Sequence, residues 1–147
     1  MTRLLRTIAS GAAVLAVPVL AVPLLSSAPG AAVGSPGIVI NLPPSADLSS
    51  TGKAVRFRVA VTCTNMAPAP ITVELKQTRS QTVVRGSGTS TKAYTCTGRS
   101  QRVPVIVFAK TGTRFNAGGA TATATATCGS TVCATDTRNV QLISRTP

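Results

Sequence analysis

The chain has 147 residues, with 15 Lys and Arg against 3 Asp and Glu, no histidine, no tryptophan and a formal net charge of +12. Without an imidazole it has no base for a Ser-His-Asp or Cys-His nucleophile, and zinc or iron sites lose their main ligand. Its only acids, Asp47, Glu74 and Asp136, are expected on a turn, an outward strand face and a loop, which leaves no carboxylate pair for glycoside hydrolysis.

Residues 1–7 carry Arg3 and Arg6, residues 8–25 are apolar and interrupted by Gly11, Pro18 and Pro23, and small residues fill 26–34. This order of basic, apolar and small-residue zones is that of a secretory signal peptide. Pro29 disfavours a cut after Ala28, so cleavage is expected near 32–34, with 1–33 removed and 34–147 left as one secreted, extracellular domain. The apolar run approaches the roughly 20 residues that span a bilayer, but its prolines and glycine weaken it as a permanent helix. No stable membrane insertion is expected after cleavage. Loss of Arg3 and Arg6 leaves thirteen basic and three acidic residues, a net +10.

Residues 37–42 predict a short first strand, stopped at Pro43 and Pro44 because proline cannot donate to a ladder. Residues 45–52 read as a turn. From 53 to 63 the chain alternates strictly: Val55, Phe57, Val59, Val61 and Cys63 share one face, with Arg56, Arg58 and Thr62 on the other. A period of two marks a half-buried strand. After a break at 65–70, Ile71, Val73 and Leu75 alternate with Thr72, Glu74 and Lys76. A turn is expected at 77–81, a short strand at 82–85 and a flexible loop at 86–91.

Residues 92–97 predict a strand with Tyr94 and Cys96 on one face, followed by a turn at 98–101. The apolar strand 102–109 contains Pro104, which argues for an edge or a bulge. A polar connection at 111–116 and the pair Gly118-Gly119 lead into the Ala/Thr tract 120–127. There Ala122, Ala124, Ala126 and Cys128 share one face, and β-branched threonines suit the other. A last strand is expected at 139–144. Seven or eight short strands with frequent turns predict an all-β fold, an immunoglobulin-like antiparallel β-sandwich with two disulfides. With Phe57, Tyr94, Phe108 and Phe115 as the only aromatics, the core falls to Val, Ile, Leu and Ala.

All four cysteines, Cys63, Cys96, Cys128 and Cys133, follow the signal segment, and an even count in an oxidising compartment reads as two disulfides. Of three pairings, Cys63–Cys96 with Cys128–Cys133 is preferred, since the first joins two expected strands and the second closes a C-x4-C loop. A metal site is the rival, but histidine and a C-x2-C pair are both missing. No metal or other cofactor is expected.

Ser50-Thr51-Gly52-Lys53 fits S-x-x-K and Lys110-Thr111-Gly112 fits K-T-G, two marks of penicillin-recognising serine enzymes. Those enzymes place the serine at the start of a helix, whereas a strand follows here, and S-D-N is missing. No phosphate-cradling G-x-x-x-x-G-K-[ST] is present. The charge points instead to polyanions. Candidate contacts are Arg56, Arg58, Arg99 and Arg102, and the expected partner is an anionic cell-wall polymer. The alternative is a solvated surface of scattered charges. Specific nucleic-acid binding is not expected, because alternation buries Phe57 between Arg56 and Arg58.

The residues Phe57 to Cys63, Tyr94-Thr95-Cys96-Thr97-Gly98, Val103 to Val107, Phe115 to Ala120 and Val140-Gln141-Leu142 resemble small exported β-sandwich proteins of actinobacteria with no assigned activity. That resemblance implies export and fold. Cys128-Gly-Ser-Thr-Val-Cys133 is similar to the short disulfide loop of neocarzinostatin-type chromoproteins, which would imply a small-molecule carrier. Cys96-Thr-Gly-Arg99-Ser100 resembles the reactive loop of subtilisin-inhibitor proteins. The expected function is a secreted, non-enzymatic cell-surface or polyanion-binding module, with an extracellular carrier or protease inhibitor as the alternative.

Overall fold

The computed structural model describes residues 37–145, which form eight β-strands and no helix. The expected signal segment lies outside the described residues. The strands are β1 (Gly37–Asn41), β2 (Ser45–Leu48), β3 (Ala54–Thr64), β4 (Ile71–Arg79), β5 (Thr82–Thr89), β6 (Gln101–Ala109), β7 (Gly118–Cys128) and β8 (Thr131–Ser144). They neighbour one another in the order β1-β3-β2-β8-β7-β4-β5-β6, and β6 returns to pair with β3.

That return corrects the expected sandwich. Seven strands close into a barrel, β1 pairs with the end of β3 on the edge that β3 also offers to β2, and the β2–β8 pairing is parallel. Closure depends on two segments whose character local sequence conceals. The first is β2, expected to be part of a turn. Its Ala46 and Leu48 are buried, and it lies between β3, at Asp47↔Arg56 and Leu48↔Val55, and the end of β8. The preceding prolines bring no N–H to either ladder. Asp136 Oδ2 accepts instead from the Leu42 N–H at 2.6 Å, and the Pro44 carbonyl accepts from the Gln141 N–H at 2.9 Å. Asp136 thus belongs to β8 and not to a loop.

The second segment is β5, which runs on through the stretch expected to be a flexible loop. It pairs with β4 from Thr72↔Thr89 to Arg79↔Thr82 and with β6 at Gly86↔Ala109 and Ser87↔Phe108. A Cβ on Gly86 would lie 2.4 Å from the Phe108 carbonyl oxygen, and one on Gly88 only 1.9 Å from that of Ile106. Here glycine permits two backbones to touch, which is its other use besides flexibility.

Inside the ring, Val55, Phe57, Val59 and Val61 of β3 face Val103, Val105 and Val107 of β6, all buried. Across the barrel, Ile71, Val73 and Leu75 of β4 sit beside Ala126, Ala124 and Ala122 of β7. On that side the bulky residues of β4 are matched by small ones on β7, which leaves room inside a narrow barrel. Phe115, in the connection read as polar, is 1 % exposed, and its N–H donates to the Gly52 carbonyl at 2.8 Å. Gln77 continues the inner face of β4, where a turn was expected, and is also 1 % exposed. Its Nε2 donates to the carbonyls of Asn116 (2.8 Å) and Gly119 (3.3 Å), and its Oε1 accepts from the Asn116 N–H (2.8 Å). A buried amide satisfied in this way anchors the 110–117 connection to the barrel.

Both preferred disulfides are present, Cys63–Cys96 and Cys128–Cys133. Residues 92–97 make only a bridge, Thr64↔Thr97, and not the expected strand. Cys63–Cys96 therefore ties a loop to β3. The second disulfide crosses the β7–β8 hairpin beside a register shift at Ala126/Thr127. Its two-residue loop places Gly129 at φ 63, the first loop position where a II′ hairpin favours glycine.

Candidate functional site

The period of two that buries Val55, Phe57 and Val59 necessarily turns Arg56 and Arg58 outward. On β6 the same alternation puts Val103, Val105 and Val107 inside and Arg102, Pro104, Ile106 and Phe108 outside. The β3–β6 register opposes Arg56 to Ile106, Arg58 to Pro104 and Ala60 to Arg102. Three of the four candidate arginines therefore share one outer face. Arg99 sits apart, exposed on the loop ahead of β6, and lines neither groove described next.

Two adjoining grooves shape this face. One, of about 380 Å³, is lined by Leu48, Ala54, Arg56, Arg58, Ile106 and Arg145 together with Asp47 and Ser49. The other, of about 220 Å³, shares Arg56, Arg58 and Arg145 and adds Arg102 beside the Pro43-Pro44 bend. Arg145 Nε meets Asp47 Oδ1 at 2.7 Å. Such a solvent-exposed pair is worth about 0–1 kcal/mol. Among the described residues the only other ion pair is Arg138 with Asp136 at 3.3 Å, so Arg56, Arg58 and Arg102 have no carboxylate partner.

Sequence reading missed three contributors. Arg145 follows the last strand and reaches the face only because β8 runs parallel to β2. Ile106 and Phe108 share the parity of Arg102, so the signal was available once Val103, Val105 and Val107 were assigned to the core. They remain 37 % and 61 % exposed.

A second cationic groove, of about 360 Å³, lies on the outer face of β4, β5 and β7. Lys76 stands directly opposite Arg85, Lys110 joins them, and Glu74, Ser87, Thr121 and Thr123 complete the lining. The Ser50–Lys53 segment forms a tight turn, with the Gly52 N–H donating to the Ser49 carbonyl at 2.9 Å. Ser50 is exposed on that turn, and the start of β3, not a helix, follows it.

The loop carrying Arg99 is braced. The Gly98 N–H donates to the Cys63 carbonyl at 2.9 Å, and the Gln101 side chain bridges both backbone polar groups of Thr95. The chain turns at Gly98, whose φ is 78. No known protein family, curated protein or solved structure matches the chain.

Proposed function

We propose that the protein is an exported, non-enzymatic module that holds anionic surface ligands through the outer face of β2, β3 and β6. The observation that carries this reading is the convergence of Arg56, Arg58, Arg102 and Arg145 on two adjoining grooves that contain one carboxylate, Asp47. Arginine forks match phosphate and carboxylate geometry, and guanidinium groups desolvate more readily than ammonium groups. Two disulfides fit an oxidising, extracellular setting. An anionic cell-wall polymer is one ligand of the required sign.

Retention on immobilised polyphosphate and on purified cell wall, read as the salt concentration that releases the protein, tests this. The triple variant Arg56→Gln/Arg58→Gln/Arg102→Gln should elute at clearly lower salt than Arg79→Gln/Arg85→Gln/Arg114→Gln, which removes equal charge elsewhere. Screening by salt weakens both. Equal loss in the two triples would mean that net charge alone is responsible, and the proposed site would fall.

A further inference from the structure

Resting on that reading, we infer that the arginine face docks on an anionic lipid surface. The arginines meet lipid phosphates, and Phe108 with Ile106 enters the apolar boundary beneath them.

The argument starts from where exposed apolar side chains lie. Among the described residues the large exposed ones are Val39, Val83, Ile106, Phe108, Val132 and Ile143. Four of these six occupy the arginine side of the barrel. Ile106 and Phe108 point outward from β6, Val39 lies opposite Thr62 on the outer side of β3, and Ile143 lies opposite Asp47. One row across four strands reads Ile143, Asp47, Arg56, Ile106, and the neighbouring register pair is Ala54 with Phe108. A soluble polyanion makes no use of such side chains. An interfacial surface does, because it rewards apolar burial and cationic contact together, and arginine stems lie along the apolar layer while their heads stay wet.

The second cationic groove sharpens the contrast. Lys76, Arg85 and Lys110 are accompanied there by Ser87, Thr121 and Thr123, and of large apolar side chains only Leu75, itself buried, contributes. The two faces have like charge and different chemistry, so charge alone does not account for the first. A single-stranded nucleic acid would need several rings to stack on, and this face offers only Phe108.

The experiment exploits the absence of tryptophan in the chain. Phe108→Trp places a single reporter on the proposed face, and Val83→Trp places one on the outer surface of β5, opposite Thr78 of β4. Each full-length protein is mixed with vesicles of equal parts phosphatidylglycerol and phosphatidylcholine, and with vesicles of phosphatidylcholine alone. The reporter at 108 should shift to the blue and be quenched by brominated lipid only when the anionic lipid is present. The reporter at 83 should not change. Because the readout is local, binding through the apolar run 8–25 does not imitate it.

Vesicle partitioning should fall roughly tenfold for Ile106→Ser and about fivefold per arginine replaced by glutamine at 56, 58 and 102. Val39→Ser, an exposed position that lines neither groove, should also lower vesicle partitioning and leave retention on polyphosphate unchanged. Intact polyphosphate retention with no response at 108 would overturn the lipid inference and leave anion binding standing. Loss of both would remove both. A response at 108 to a single-stranded oligonucleotide but not to vesicles, or equal responses at 83 and 108, would also overturn the lipid inference.

Discussion

Tyr94 shows how one side chain can set a pH limit. Its hydroxyl donates to the Ala69 carbonyl at 2.5 Å and accepts from the Ala69 N–H at 2.9 Å, which ties the 92–100 loop to the segment ahead of β4. Burial pushes its phenol above the ordinary tyrosine range, and the hydrogen bond to Ala69 only partly offsets this. The folded state therefore prefers the neutral phenol, while the unfolded chain releases the proton near pH of about 10. The stabilisation is complete below that pH and is lost as pH rises through the folded value. Ultraviolet titration of this sole tyrosine should give a midpoint above that of the free amino acid. Tyr94→Phe should lose about 1–2 kcal/mol at neutral pH with its two hydrogen bonds and show a shallower alkaline decline in urea midpoint. A midpoint at or below that of free tyrosine would contradict the account. At this scale much was legible, because parity alone placed Phe57 inside and Arg56 and Arg58 outside. Phe115 and Gln77 were not, since a lone aromatic in a polar connection and a glutamine beyond an apolar run carry no local sign of burial.

Among the elements, β3 and β7 were legible because each holds a period of two for 11 residues. By contrast β2 has 4 residues behind two prolines, too few to establish alternation. The second half of β5 was hidden because Gly86 and Gly88 read as freedom when their role is contact. Gly88→Ala should therefore destabilise by at least about 2–3 kcal/mol, from forced separation of β5 and β6. Gly119→Ala, where an added Cβ meets nothing closer than 3.9 Å, should stay within about 1 kcal/mol of the parent. Urea melts of the two variants provide the check, and equal costs would disprove the seam argument. The reverse error occurred at 92–97, where Tyr94 and Cys96 suggested alternation over too short a span, and the disulfide with the Ala69 clasp holds an irregular loop.

For the whole molecule, the all-β class followed from patterning and the preferred cysteine pairs are the ones present, although Cys96 sits on a loop and not on the expected strand; closure was not legible. The barrel is completed by a two-pair ladder at β2–β3 and another at β5–β6, and no local pattern encodes contacts so few and so distant in sequence. The arginine face was half legible for the same reason: parity gave Arg56 and Arg58, while Arg145 depended on a parallel pairing. The two disulfides should differ in weight. Loop-entropy arguments assign about 3–4 kcal/mol to Cys63–Cys96, with a sequence separation of 33, and about 2 kcal/mol to Cys128–Cys133, with a separation of 5. Paired Cys→Ser variants in urea should rank in that order, and a reversed ranking would mean that hairpin geometry outweighs chain entropy. The ring also leaves a gap, since β6 is laddered to β5 only at Phe108 and Ala109 and touches it no further along than Ile106, against Gly88. Along the remaining end of that flank, from Gln101 to Val105, an extended chain from a second molecule could add itself and begin a fibril. Pro104, facing Arg58 across β6 and β3, removes one amide donor in mid-flank and keeps crowded copies of the protein from zipping together.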